Sequence, residues 1–181
     1  EVDKDPVILL DGLTKNWRYP GWRVCWTVAP KPIIESIASA GSFLDGGCSR
    51  PMQRAALQLV NRTHADAEAR SLQAHFGEKR SRMIKGLQEL GIEAAHPPEG
   101  GFYVWGDLSK LPPSINTAMA FFQEALQHNV IVVPGPFFDI NPGQRRADRP
   151  SRFRHHVRFS FGPDIKTIER GLESLARMIQ K

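Results

Sequence analysis

The chain has 181 residues, 41% of them apolar, and a formal net charge of +5. That length suits one domain, or one domain with part of another, and the apolar share supports a core without disulfide or metal staples. No apolar run approaches the roughly 20 residues that cross a bilayer, no secretory leader pattern is visible, and Cys25 and Cys48 lack metal-ligand spacing, so a reduced, cytoplasmic setting with no membrane partner is expected.

The chain opens at Glu1, with apolar Val7-Ile8-Leu9-Leu10 almost at once. That reads as a cut just ahead of a core strand. The run Val7 to Leu10, closed by Asp11-Gly12, predicts a buried strand. Trp22 to Val28, rich in aromatic and β-branched residues, predicts a second, after a loop from Gly12 to Gly21. Pro32 to Phe43 carries Ile33, Ile34, Ile37 and Ala38 on one face and predicts a helix. Asp45-Gly46-Gly47 breaks it. Ser49 stands where it can cap a further helix, with Pro51 in the first turn, running to about Val60.

A long helix is expected from about Thr63 to Leu90. Leu72, Phe76, Met83, Leu87 and Leu90 fall on one face of a 3.6-residue period. At 1.5 Å per residue it spans roughly 40 Å, long enough to link two bodies, and Gly91 ends it. Beyond it, Ile92 to Ala95 and Phe102 to Trp105 read as strands separated by the turn Pro97 to Gly101. Ile115 to His128 reads as a helix, and Val130 to Val133 as a strand stopped by Pro134-Gly135-Pro136. His156 to Phe161 alternates as a strand, and Asp164 caps a last helix striped with Ile165, Ile168, Leu172, Leu175 and Ile179. These elements predict a small α/β domain of about 90 residues.

Much of the positive charge lies between Gln144 and Arg158, where Arg145, Arg146, Arg149, Arg152, Arg154 and Arg158 face a single Asp148. Such a run can bind nucleic acid. With Phe153 its only aromatic, it reads instead as a solvated loop, and no nucleic-acid partner is expected. His155 and His156 are adjacent on a strand, so they point to opposite faces and make a poor metal pair.

Lys15 follows the first strand, and Arg23 lies eight residues on at the start of the second. A lysine held at a strand end in a partly dry cleft is a nucleophile toward an aldehyde. A guanidinium nearby can grip a phosphate bidentately. These are the two groups that pyridoxal phosphate needs.

Gly12-Leu13-Thr14-Lys15 with Gly21 and Arg23 resembles the lysine motif of class I/II aminotransferases of PLP fold type I. Three positions depart from that pattern. Arg18 stands where a small residue is usual, Tyr19 where an aliphatic one is, and Cys25 where Gly or Ala is. Gly12 stands where many members carry a phosphate-touching serine. The resemblance extends along the chain. Pro98 to Trp105 is similar to the family's small-domain entry strand. Val130 to Gly135 with Phe138 is similar to its valine–proline–glycine–x–x–phenylalanine turn, although Asp139 follows where Gly is common. Val157-Arg158-Phe159-Ser160-Phe161 is similar to its late strand.

The resemblance implies a pyridoxal-phosphate aminotransferase present as its C-terminal half. Residues 1–61 become the tail of the large cofactor-binding domain, 62–91 an interdomain helix and 92–181 the small domain. Lys15 becomes the catalytic lysine, Thr14 and Arg23 cofactor ligands, and Arg158 the arginine for the substrate carboxylate. Ser49 and Arg50 fall where a subunit interface of the parent homodimer is expected. The implied substrates are an amino acid and a 2-oxo acid. The glycine-rich phosphate loop, the ring-stacking aromatic and the Asp at the pyridine nitrogen belong to the N-terminal half, so this chain alone is expected to be inactive. Two alternatives keep the fold. One is a PLP-dependent lyase or another fold-type-I reaction. The other is the effector domain of an aminotransferase-like transcription regulator.

Overall fold

A computed structural model describes residues 1–94, 96–141, 146 and 149–180. The chain divides into two compact units, Glu1–Gln73 and Ala74–Lys181. In the first, β1 (Leu9–Gly12) pairs antiparallel with β2 (Cys25–Val28), Gly12 opposite Cys25. Between them lie a four-residue helix α1 (Leu13–Asn16) and a 3-10 turn, Pro20–Trp22. β1 begins later than its apolar run predicts, because Val7 and Ile8 have no strand partner in the ladder and stand exposed. The helices α2 (Lys31–Leu44) and α3 (Arg50–Ala56) follow. Ser49 occupies the cap position of α3 but its side chain makes no capping bond.

Leu13, Trp17, Val24 and Ala56 form the buried centre of this unit, with Trp22, Trp26 and Met52 packed around them. Trp17 and Trp26 meet edge to face, 5.8 Å between ring centres. The apolar side of α2 is not covered in the same way. Ile37 is exposed and Phe43 is 91% exposed.

Helix α4 (Arg62–Glu89) runs unbroken through Gly77. Met83 and Leu87 are buried on its expected face. Lys79 is buried with them, which the apolar pattern does not foresee. Its stem lies in the core while its Nζ donates to the Gly162 carbonyl at 3.3 Å and sits 5.2 Å over the Phe76 ring. Ala95, at the end of the expected strand from Ile92, lies outside the described residues; Glu93 makes a single bridge to Asp107.

In the second unit β3 (Tyr103–Asp107), β5 (His156–Ser160) and β4 (Val133–Pro134) form a three-stranded antiparallel sheet in the order β3-β5-β4. Only the end of the run from Val130 joins the sheet. α5 (Ala118–Gln127) and α6 (Ile165–Ile179) complete the unit. Asp164 caps α6 as expected, accepting from the Thr167 backbone N–H at 2.9 Å. One face of the sheet, with Val104, Val157 and Phe159, is sealed in the core beside Leu87, Phe121 and Ile168. Strand alternation turns Tyr103, Trp105, His156 and Arg158 to the other face. Among the described residues no helix is long and apolar enough to cross a membrane.

Candidate active site

The hairpin of the first unit places Thr14, Lys15 and Arg23 at one end. The Leu13 backbone N–H donates to the Val24 carbonyl at 3.0 Å, continuing the β1–β2 pairing one residue past Gly12. That bond pins the start of α1 against the start of β2. Thr14 is half-buried, and Lys15 and Arg23 are exposed.

Gly12 is needed at its position by close approach. A Cβ there would fall 2.8 Å from the Val24 carbonyl oxygen and 2.8 Å from the Cys25 Cβ. The serine common at this place in the motif does not fit this hairpin. The loop also holds two non-glycine residues with left-handed backbone, Arg18 at φ 62° and Arg23 at φ 56°. Such a residue carries strain of about 1–2 kcal/mol. Here the Arg18 guanidinium is secured by both carboxylate oxygens of Glu68, at 2.9 and 2.8 Å. The Arg23 backbone is held by the Cys48 thiol, which donates to its carbonyl at 3.1 Å.

The Arg23 Nη1 donates to the Pro20 carbonyl at 2.9 Å, and among the described residues no carboxylate pairs with it. The rest of its N–H fork is left for an anion. An amine, a hydroxyl and a guanidinium therefore share one hairpin end, a donor set that fits an aldehyde and a phosphate carried by one molecule.

Arg158 lies in the second unit, on β5. Its guanidinium carbon is 4.0 Å from the centre of the Tyr103 ring and 4.7 Å from that of Phe138. Among the described residues it has neither a hydrogen bond nor an acidic partner. The rings supply cation–π attraction without using the N–H edge. Phe138 belongs to a 3-10 turn, Gly135–Phe138, that β4 delivers beside β5. Trp105, the register partner of Arg158, extends the aromatic wall. It stacks on His156 at 5.6 Å and meets Phe138 edge to face at 5.5 Å.

Sequence reasoning names Arg158 but misses Tyr103. The signal lies in register, because Tyr103 becomes a neighbour of Arg158 only through the Trp105–Arg158 pairing. It also misses the partners of the arginine-rich segment. Arg146 and Arg152 both bind Asp139, so this part of the segment is tied inward. Gln144, Arg145 and Asp148 lie outside the described residues.

Comparison with known proteins adds four findings. A family model described as aminotransferase class I and II matches residues 1–175. The aspartate/prephenate aminotransferase of Thermus thermophilus is 27% identical over 179 residues, covering 98% of this chain and 42% of that protein. The Bacillus subtilis protein YdfD, an uncharacterized HTH-type transcriptional regulator, is 24% identical over 183 residues, covering 99% of this chain and 35% of that protein. Among solved structures, a tetra mutant of Thermus thermophilus aspartate aminotransferase matches with a TM-score of 0.78 at 26% identity, over 94% of this chain and 43% of that one. The chain thus spans less than half the length of these relatives, and the part it matches is their C-terminal part.

Proposed function

This chain belongs to the class I and II aminotransferase family and shares the α/β architecture of PLP fold type I, and on that premise we propose that it is the C-terminal part of a pyridoxal-phosphate aminotransferase. The reaction is transfer of an amino group between an amino acid and a 2-oxo acid. The observation that carries the reading is Arg158, a guanidinium set over two rings with no acidic partner among the described residues. A half-buried arginine of this kind is satisfied by an incoming carboxylate.

Pyridoxal phosphate, when bound, supplies the electron sink that loosens the proton on the substrate Cα. The chain's own residues do the rest. Lys15 would hold the cofactor through its amine, and that amine would accept the proton from the substrate Cα. Thr14 and Arg23 hold the phosphate, and Arg158 orients the substrate by its carboxylate.

In this reading residues 1–61 form the tail of the large domain, 62–91 a connecting helix and 92–181 the small domain. The remaining cofactor contacts come from an N-terminal half, and the complete enzyme is a cytoplasmic homodimer. The exposed apolar surface of the first unit supports this. Leu10 is 75% exposed, Leu44 84% and Leu57 71%, large apolar side chains that call for cover. The chain alone is then not a competent enzyme.

The likeness to YdfD favours one second reading, in which the same domain senses an amino acid or cofactor for a transcription regulator. Assay of the full-length protein separates them. The aminotransferase reading expects 2-oxo acid formed from an amino acid and lost on Lys15→Ala. Absence of transfer, with DNA binding altered by pyridoxal phosphate, would establish the regulator reading instead.

A further inference from the structure

Asp139 follows Phe138 directly and stands where the family pattern commonly has Gly. Its backbone, at φ −83°, does not need glycine. Its side chain is only 7% exposed and is fully engaged. It accepts from Arg146 Nη1 at 3.1 Å and Nη2 at 2.7 Å, from Ser151 Oγ at 2.7 Å and from Arg152 Nε at 3.3 Å. Ser151 Oγ in turn accepts from the Phe153 backbone N–H at 3.1 Å. One carboxylate therefore ties residues 146, 151 and 152 to the end of the 3-10 turn.

Both chain segments gathered by this knot carry a ring to the wall around Arg158. Phe138, one residue before Asp139, lies against the Arg158 guanidinium and Trp105. Phe153, one residue after Arg152, meets Trp105 edge to face at 5.4 Å. Arg158 has no polar partner of its own among the described residues. Its orientation rests on the Tyr103 and Phe138 rings, and the placement of Phe138 rests on Asp139, its chain neighbour; Phe153 buttresses that wall through Trp105.

We infer that Asp139 is a positioning residue for Arg158, fixing through its ion-pair knot the Phe138 ring that, with Tyr103, aims the guanidinium at a carboxylate. This rests on the reading of Arg158 as the carboxylate-binding arginine.

The test is nuclear magnetic resonance of the chain carrying isotope-labelled arginine, with the Arg158 side-chain signal assigned by its loss in Arg158→Lys. Acetate serves as the probe carboxylate. In the unaltered chain the Arg158 signal is displaced by ring currents and moves further as acetate is added. Asp139→Asn is expected to return that signal toward the position of an exposed arginine and to weaken acetate binding about fivefold. Ser151→Ala, which removes one strut, shifts it less in the same direction, and Asp139→Glu restores part of the displacement. An Asp139→Asn chain that keeps its core amide signals at Val104 and Phe159, with Arg158 signal and acetate affinity unchanged, overturns the inference. Should Asp139→Asn fail to fold, an unchanged Arg158 signal in Ser151→Ala overturns it. Failure of the underlying reading is seen separately, as acetate affinity unaffected by Arg158→Lys.

Discussion

The guanidinium of Arg158 lies 4.0 Å over the ring of Tyr103. The two reach each other diagonally across a strand pair, Tyr103 opposite Ser160 and Trp105 opposite Arg158. A cation over a ring in a partly dry setting is worth about 0.5–2 kcal/mol. Tyr103→Ala should therefore weaken carboxylate binding by roughly two- to thirtyfold, while Tyr103→Phe keeps it. Titration of the chain with acetate measures both. Equal loss in the two variants would transfer the role from the ring to the hydroxyl.

Gly12 separates this chain from the serine-bearing pattern, and the reason is steric. A side chain at 12 would press on the Val24 carbonyl. Gly12→Ser is expected to destabilise the hairpin by about 1–3 kcal/mol and to reduce cofactor capture at Lys15. Protease susceptibility between Asn16 and Val24 reads the first effect. A serine variant that is as resistant as the parent and captures more cofactor would show that the strands can part to admit it.

Gly135 is packed still more tightly. Its Cβ would lie 2.5 Å from the Phe153 carbonyl oxygen and 2.6 Å from that of His156. Backbone cannot swing aside as a side chain can, so Gly135→Ala should cost about 2–4 kcal/mol in a thermal or denaturant melt. Gly171→Ala, on the open side of α6 with nothing within 4 Å, should be neutral or stabilising.

Acid should loosen the second unit through Asp139. Hydrogen bonding from Arg146, then from Ser151, holds its carboxyl well below the ordinary carboxylate value of 3.8. The folded state therefore keeps this group charged where the unfolded chain protonates it. The resulting stability is present in full above the ordinary value and is lost as pH falls toward the depressed one. Melting temperature should drop below about pH 4, and Asp139→Asn should start lower and fall less steeply. Parallel slopes in the two proteins would assign the acid sensitivity to other carboxylates, such as Asp164, which hydrogen bonds from Thr167 also hold below its ordinary value.

Periodicity found α4 and α6 almost to the residue because each presents an apolar stripe to its own unit. It overreached at Val130 to Val132, where the β-branched run is strong but only Val133 and Pro134 find a partner on β5. It also expected burial at Val7 to Leu10, where Val7, Ile8, Leu9 and Leu10 all stand exposed. Lys15, Arg23 and Arg158 are nominated by motif and spacing, and their roles are those proposed above. Tyr103 and Asp139 are not so nominated, since one depends on strand register and the other on a carboxylate reaching residues seven to thirteen positions away.

The most direct test is covalent capture at Lys15. The chain is mixed with pyridoxal phosphate, reduced with borohydride and mapped by peptide mass spectrometry, alone and again with the N-terminal half of the full-length protein supplied. The account predicts a selective adduct on Lys15, stronger with the N-terminal half present and diminished in Arg23→Gln. Adducts scattered over Lys4, Lys31, Lys110 and other lysines even in the complemented protein would contradict it.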